Sequence, residues 1–172
     1  MKTLVFAVVY CIVALIICAD ALAGDVRKDK PPARFMDVGA CPFECCTYRQ
    51  WAVRDSPRLL DRPNGKKVVG NLRKGEVVNG LTGVVISTPV AVKADRAIPE
   101  TRIKAGDIFY ILHYAGEGYW KVWFHGKITF VHQSVVNIPE PKSEWWVKVK
   151  KASGVVGWIL SDKHFLHQDA CE

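Results

Sequence analysis

The sequence predicts an all-β fold made of two small units, one nested within the other. Short runs rich in valine and aromatic residues alternate with glycine, proline and asparagine turns, which is typical of antiparallel strands. No stretch keeps a helical period for three turns. Related segments occur in the order front, front, back, back along the chain, and this order favours an insertion over simple tandem repeats.

The first 23 residues have the pattern of a cleaved secretory signal helix. Lys2 precedes an apolar run from Leu4 to Cys18, and Ala21-Leu22-Ala23 is a small-x-small cleavage site. A membrane span needs roughly 20 apolar residues, so we predict cleavage before Gly24 and no retained transmembrane segment. A lipid on Cys18 stays an open alternative. The chain is therefore predicted to be secreted or periplasmic.

Residues 24 to 45 are predicted to form a flexible charged lead-in that ends in a cysteine cluster. The stretch GDVRKDKPPARFMDVGA, residues 24 to 40, carries charges and prolines without an apolar period. We expect ordered structure to begin near Cys41.

Four cysteines remain after cleavage, and an even number in an oxidising compartment predicts two disulfides. They are Cys41, Cys45, Cys46 and Cys171. A bridge between the adjacent Cys45 and Cys46 would be strained. Cys171, in a tail of residues 168 to 172, would therefore pair with one of these two and Cys41 with the other.

The sequence predicts no metal site, no cofactor and no catalytic activity. His164, His167 and Cys171 stand at ligand-like intervals, but their spacing matches no zinc signature, and CPFECC lacks paired CxxC arms. No GxSxG, HExxH or phosphate-cradling glycine loop is present. Disulfides account for the cysteines better than a nucleophile does.

The strand pattern extends over most of the chain that follows the cysteine cluster. The predicted strands are residues 48–54, 67–72, 76–80, 83–87, 90–93, 107–114, 119–125, 128–131, 145–150 and 155–160.

Two pairs of related segments organise these strands. LRKGEVV at 72–78 and IKAGDIF at 103–109 share the order apolar, basic, any, Gly, acid, apolar, apolar. Glycine supplies the positive backbone angle that such a turn needs. The segments 120–131 and 146–159 each contain an aromatic-led strand, a turn and a return strand.

Both front segments precede both back segments, so the units cannot simply follow one another. We predict an inner unit of residues 81 to 137 inserted into an outer unit made of 46 to 80 and 143 to 167. The proline-bearing stretch NIPEPKSE at 137–144 suits the exit from an insertion.

Several outer-unit segments resemble motifs of bacterial SH3-like (SH3b) domains, namely V-R-x-x-P, V-x-G-x-L-x-K-G-E, W-x-x-V and G-x-x-G-W-[VI]. The matching segments are Val53-Arg54-Asp55-Ser56-Pro57, Val69-Gly70-Asn71-Leu72-Arg73-Lys74-Gly75-Glu76, Trp146 with Val149, and Gly154 to Ile159. The inner unit matches more loosely, with Thr129 at the second glycine and Phe130 at the tryptophan. The resemblance covers residues 46 to 160 and implies two small SH3-like barrels, the second inserted into the first. It implies a fold and not a chemistry.

Aromatic and basic side chains supply the candidate ligand-binding residues. Tyr119, Trp123 and His125 alternate outward beside Lys121, a strip suited to stacking on sugar rings or a peptide.

A second candidate surface lies on the strand at 145–150. Strand parity places Trp145 inside with Val147 and Val149, and Trp146 and Lys148 outside. Trp146 could pack between the barrels or form a ligand platform, and the sequence leaves both readings open.

These patterns favour an exported binding module that recognises a peptide, peptidoglycan or another envelope polymer. The excess of 24 Lys and Arg over 17 Asp and Glu favours anionic envelope material over nucleic acid in an exported chain, although it also serves solubility. The strand DIFYILHY, residues 107 to 114, is apolar on both faces. The alternative is therefore a structural subunit that pairs with an envelope protein through this strand.

Overall fold

The computed structural model describes residues 29 to 134, 137, 139 to 161 and 163 to 171. The predicted signal at 1 to 23 lies outside these residues. Within them the regular structure is β throughout, so the all-β prediction is confirmed. In the part of the chain described, no helix combines the length and the apolar character that crossing a membrane requires.

Twelve strands are present in the described residues. They are β1 (Phe35–Val38), β2 (Gln50–Val53), β3 (Arg58–Leu60), β4 (Val68–Asn71), β5 (Val77–Ser87), β6 (Val90–Lys93), β7 (Ile108–Gly116), β8 (Tyr119–Phe124), β9 (Lys127–His132), β10 (Ser143–Lys151), β11 (Val156–Leu160) and β12 (Phe165–Leu166).

The first sheet is curled into a half-barrel and has the strand order β12-β2-β5-β10-β11-β3-β4. Its longest strand, β5, has 11 residues. One edge of β5 is shared, because β2 pairs with its first part and β1 with its last part. The other edge pairs with β10 along nearly its whole length. Strand β5 is therefore the centre of this sheet.

The second sheet has the order β6-β7-β8-β9, with every neighbouring pair antiparallel. Its four strands come from one stretch of chain between β5 and β10. The chain thus leaves the first sheet, forms the second and returns. Its buried residues, which include Phe109, Ile111, Val122 and Val131, pack with Ile103 from the loop before β7.

The inner unit begins later than predicted. Two strands were expected at 76–80 and 83–87, but β5 runs through both without interruption, so residues 81 to 87 belong to the first sheet. Gly80 and Gly83 do not mark a turn here. They lie within the strand, and large aromatic side chains approach the backbone so closely at both positions that a Cβ would not fit.

The predicted flexible lead-in is wrong for residues 35 to 38. These residues form β1, which pairs with the far end of β5, and Phe35 is only 7% exposed. The paired residues are about fifty positions apart in the sequence. The local pattern of apolar residues therefore could not predict this pairing. Strands β3 and β12 were also not predicted, and both have three residues or fewer.

Strand β10 confirms the predicted parity. Val147 and Val149 are fully buried in the core of the first sheet, and Trp145 packs against that core. Trp146 lies on the opposite face, where it forms a small separate cluster with Val84 and Ile86.

Both predicted disulfides form, and the pairing that the sequence left open is settled. Cys41 bonds to Cys46, with their Cα atoms 5.5 Å apart, and Cys45 bonds to Cys171, with Cα atoms 5.8 Å apart. The tail is also held by backbone hydrogen bonds, since the Thr47 amide donates to the Gln168 carbonyl at 3.1 Å. The two ends of the folded region are therefore joined.

Replacing Gly83 with alanine is expected to destabilise the protein by about 2 to 3 kcal/mol, because the new methyl group overpacks the site. Its Cβ would lie 2.2 Å from the Tyr48 hydroxyl oxygen and 2.5 Å from the Trp145 indole nitrogen. Both of these groups donate hydrogen bonds to the Ala40 carbonyl. Urea unfolding measures the loss. Gly75→Ala is the control, since nothing lies within 4 Å of its Cβ position and only backbone strain of about 1 kcal/mol is expected there; equal losses would contradict the packing explanation.

Candidate ligand-binding face

The exposed side of the second sheet carries most of the candidate strip. Trp120, Val122 and Phe124 of β8 point into the core of that sheet, so Tyr119, Lys121 and Trp123 lie on the other side. Across the ladder, Tyr119 pairs with His132, Lys121 with Phe130 and Trp123 with Ile128. This side of the second sheet, the aromatic face, is formed by Ile108, Tyr110, Tyr119, Lys121, Trp123, Ile128 and Phe130.

Large apolar side chains on this face are open to solvent. The exposed fraction is 59% for Ile108, 49% for Phe130, 46% for Ile128 and 42% for Tyr119. Sequence reasoning missed Ile108, Ile128 and Phe130 as surface residues, because the motif match placed Phe130 at a structural tryptophan position. The alternation of Ile128, Phe130 and His132 in β9 was the available signal.

Lys121 forms an ion pair with a residue of the first sheet. Its Nζ donates to Asp37 Oδ2 at 2.5 Å, and His113 Nε2 lies 2.8 Å from the same oxygen. The side chains of Asp37, Lys121 and His113 are 15%, 20% and 3% exposed. Asp37 belongs to β1, so this cluster ties the first sheet to the second.

Hydrogen bonds surround the charged groups of this cluster. The other ring nitrogen of His113, Nδ1, lies 2.6 Å from the carbonyl oxygen of Tyr114. Both ring nitrogens of His113 thus lie within hydrogen-bonding distance of oxygen atoms. Burial alone would raise the pKa of Asp37, but hydrogen bonds and charge from His113 and Lys121 outweigh it, and the pKa lies below the ordinary 3.8.

The other predicted ligand-binding residues do not form one site with the aromatic face. His125 lies in the turn after β8, exposed, with Nδ1 2.9 Å from Asp29 Oδ1. Lys148 belongs to the first sheet, where its Nζ lies 5.9 Å from the centre of the Trp158 ring.

Trp146 also lies away from the aromatic face, and it is only 7% exposed. Its indole donates to Glu144 Oε2 at 3.1 Å, and its ring packs with Val84 and Ile86. Of the two roles that the sequence left open for Trp146, packing fits the structure. Its packing partners belong to the first sheet, so it does not pack between the two sheets.

A groove lies at one end of the aromatic face, with a volume of about 390 Å³. One wall is the loop of residues 41 to 46, the cysteine loop, which contributes Phe43 and Glu44. The other wall includes Glu117, Tyr119 and Phe130. The aromatic face therefore continues into a concave feature that joins both parts of the fold.

One group of possible metal ligands is present in the described residues. Ligand atoms of Cys45, Asp169 and Cys171 lie within 4.8 Å of one another. The two sulfurs are bonded to each other, and Asp169 Oδ1 accepts the Cys171 amide at 2.7 Å. A disulfide and a capped carboxylate explain this group. His164 points elsewhere, with Nδ1 2.8 Å from Asp55 Oδ2.

Comparisons with family models, with curated proteins and with solved structures each give no match to this chain.

Proposed function

We propose that this protein is an exported, non-catalytic binding module in which an SH3-like barrel is inserted into a second one. The aromatic face is its ligand-binding surface, and peptidoglycan is its ligand. The exposure of four large apolar side chains on one side of the second sheet carries the proposal, because contiguous apolar surface of this kind marks interaction sites.

The chemistry of the face supports a polymer of sugars and peptides. Flat aromatic rings stack on sugar rings and on peptide planes, and their edges tolerate polar groups. Two exposed lysines flank the face, Lys93 opposite Ile108 and Lys127 at the start of β9. Their charge would attract a polymer that carries carboxylates.

Export is supported by the cysteines and by the predicted signal. The structure contains two disulfides in its described part, and such bonds persist mainly in oxidising compartments. This supports a secreted or periplasmic location.

A structural subunit of an envelope complex is the second candidate. Among the residues that the structure describes, β9 pairs only with β8 and is therefore an edge strand. It carries the exposed Ile128 and Phe130. An edge of this kind can pair with a strand of another protein. Copurification of a stoichiometric envelope protein, with no retention on peptidoglycan, would favour this candidate.

Sedimentation with purified peptidoglycan tests the leading proposal, using the chain from residue 24. Wild type should co-sediment, and the double variant Trp123→Ala, Ile128→Ala should bind at least fivefold more weakly because it removes two contact groups. Leu166→Ala is the matched control, since Leu166 is 43% exposed on the first sheet, and it should bind like wild type. No retention of wild type, or equal retention of the double variant, would contradict the proposal.

A further inference from the structure

The groove at the end of the aromatic face has the composition of a site for an amine. Its aromatic residues are Phe43, Tyr119 and Phe130, and its carboxylates are Glu44 and Glu117. Aromatic ring faces attract cations, and a nearby carboxylate supplies full negative charge. The groove combines both on a protein whose formal net charge is +7.

No residue in the described part of the chain neutralises the two carboxylates. Glu44 and Glu117 are exposed, and neither has an ion-pair partner within the described ranges. Lys121 lies beside one of the rings, with its Nζ 5.8 Å from the centre of the Phe130 ring. Asp37 holds that lysine, so its charge is already compensated.

Both walls of the groove are fixed before any ligand arrives. The cysteine loop is held at Cys41, Cys45 and Cys46 by the two disulfides. In the opposite wall, Gly116 has a φ of 100°, and a Cβ there would lie 3.3 Å from the Phe43 carbonyl carbon. Close backbone contact therefore joins the walls. A preformed site loses little conformational entropy on binding.

We propose that this groove binds a primary amine at the end of an aliphatic chain. The rings would cover the methylene groups, and the carboxylates would pair with the ammonium group. The inference rests on the proposed function in one respect, because the amine would belong to the peptide part of the polymer bound by the aromatic face.

A titration followed by NMR tests this site with two matched probes. Nα-acetyl-lysine methylamide should shift the amide signals of Glu44, Glu117 and Tyr119. The norleucine analogue has the same chain without the amine, and it should bind at least fivefold more weakly. The double variant Glu44→Gln, Glu117→Gln should lose affinity for the lysine probe by a similar factor, while Glu140→Gln, at another exposed position, should not.

Equal binding of the two probes, or full affinity in the double variant, would overturn the amine site. Both carboxylates are exposed, so the variants should keep the thermal midpoint of wild type. If wild type co-sediments with peptidoglycan but ignores the lysine probe, the amine site is wrong and the polymer function stands. If the probe binds and the polymer does not, the polymer function is wrong and the amine site stands.

Discussion

Replacing Cys45 and Cys171 together with serine is expected to lower the free energy of unfolding by about 5 kcal/mol, as much as the whole stability of many small domains. The two cysteines are 126 residues apart, so their bond removes a large loop-closure entropy from the unfolded chain. The tail would also lose the anchor for its hydrogen bonds, such as that from the Ala170 amide to the Cys45 carbonyl at 2.8 Å.

The second disulfide provides the matched control for this loss. Cys41 and Cys46 are only 5 residues apart, and the same relation gives about 2 kcal/mol for replacing both. Urea unfolding would measure the two double variants, after mass mapping has shown that the remaining disulfide is intact. Equal losses would contradict the loop-length explanation.

Asp37→Ala is expected to lower the free energy of unfolding by about 3 kcal/mol, since removal of one member of a buried ion cluster leaves the others uncompensated. His113 and Lys121 would then face each other without the carboxylate that both contact. Amide hydrogen exchange should increase in β7 and β8, where these side chains originate, because the link from β1 is lost. Urea unfolding gives the size of the effect.

An exposed pair of an aspartate and a histidine provides the control for Asp37. Asp29 contacts His125 at 2.9 Å, but its side chain is 65% exposed, so Asp29→Ala should cost less than about 0.5 kcal/mol. Similar losses from the two variants would contradict a special role for the buried cluster.

The same cluster predicts a defined dependence on acid. The pKa of Asp37 in the folded protein is below the ordinary 3.8, so the ionised carboxylate stabilises the fold fully above that value. This contribution is lost as the pH falls through the lower folded value. Between pH 5 and pH 2, wild type should therefore lose stability more steeply than Asp37→Asn, and parallel curves from urea unfolding would contradict the assignment.

Local periodicity was enough to predict the larger part of the fold. Strand β6 has the predicted bounds, and the parity of β10 is as expected, because alternation and turn residues are read within a few positions. The predicted start of the inner unit at residue 81 was wrong, because a glycine needed for close packing looks in sequence like a glycine needed for a turn. Strand β1 could not be predicted, since its reason for forming is the distant end of β5.

For the candidate site, too, features set by neighbouring residues could be predicted, and features set by distant residues could not. Alternation correctly grouped Tyr119 and Trp123 on one side of β8. It could not show that Lys121 is held by Asp37, which lies 84 positions away in the sequence. Nor could it show that Trp146 is covered by Val84 and Ile86 from a neighbouring strand. A partner from elsewhere in the chain decided each outcome.

The interruption of the first sheet by the second sets an order of assembly. When the chain emerges from its N-terminus, β6 to β9 are complete once His132 has emerged, whereas β5 lacks its partner β10 until Lys151 has followed. The later sheet in the sequence can therefore mature first, and in doing so it brings the two halves of the earlier one together. The fold would then be completed from the middle of the chain outward, with the disulfide between Cys45 and Cys171 as the final step.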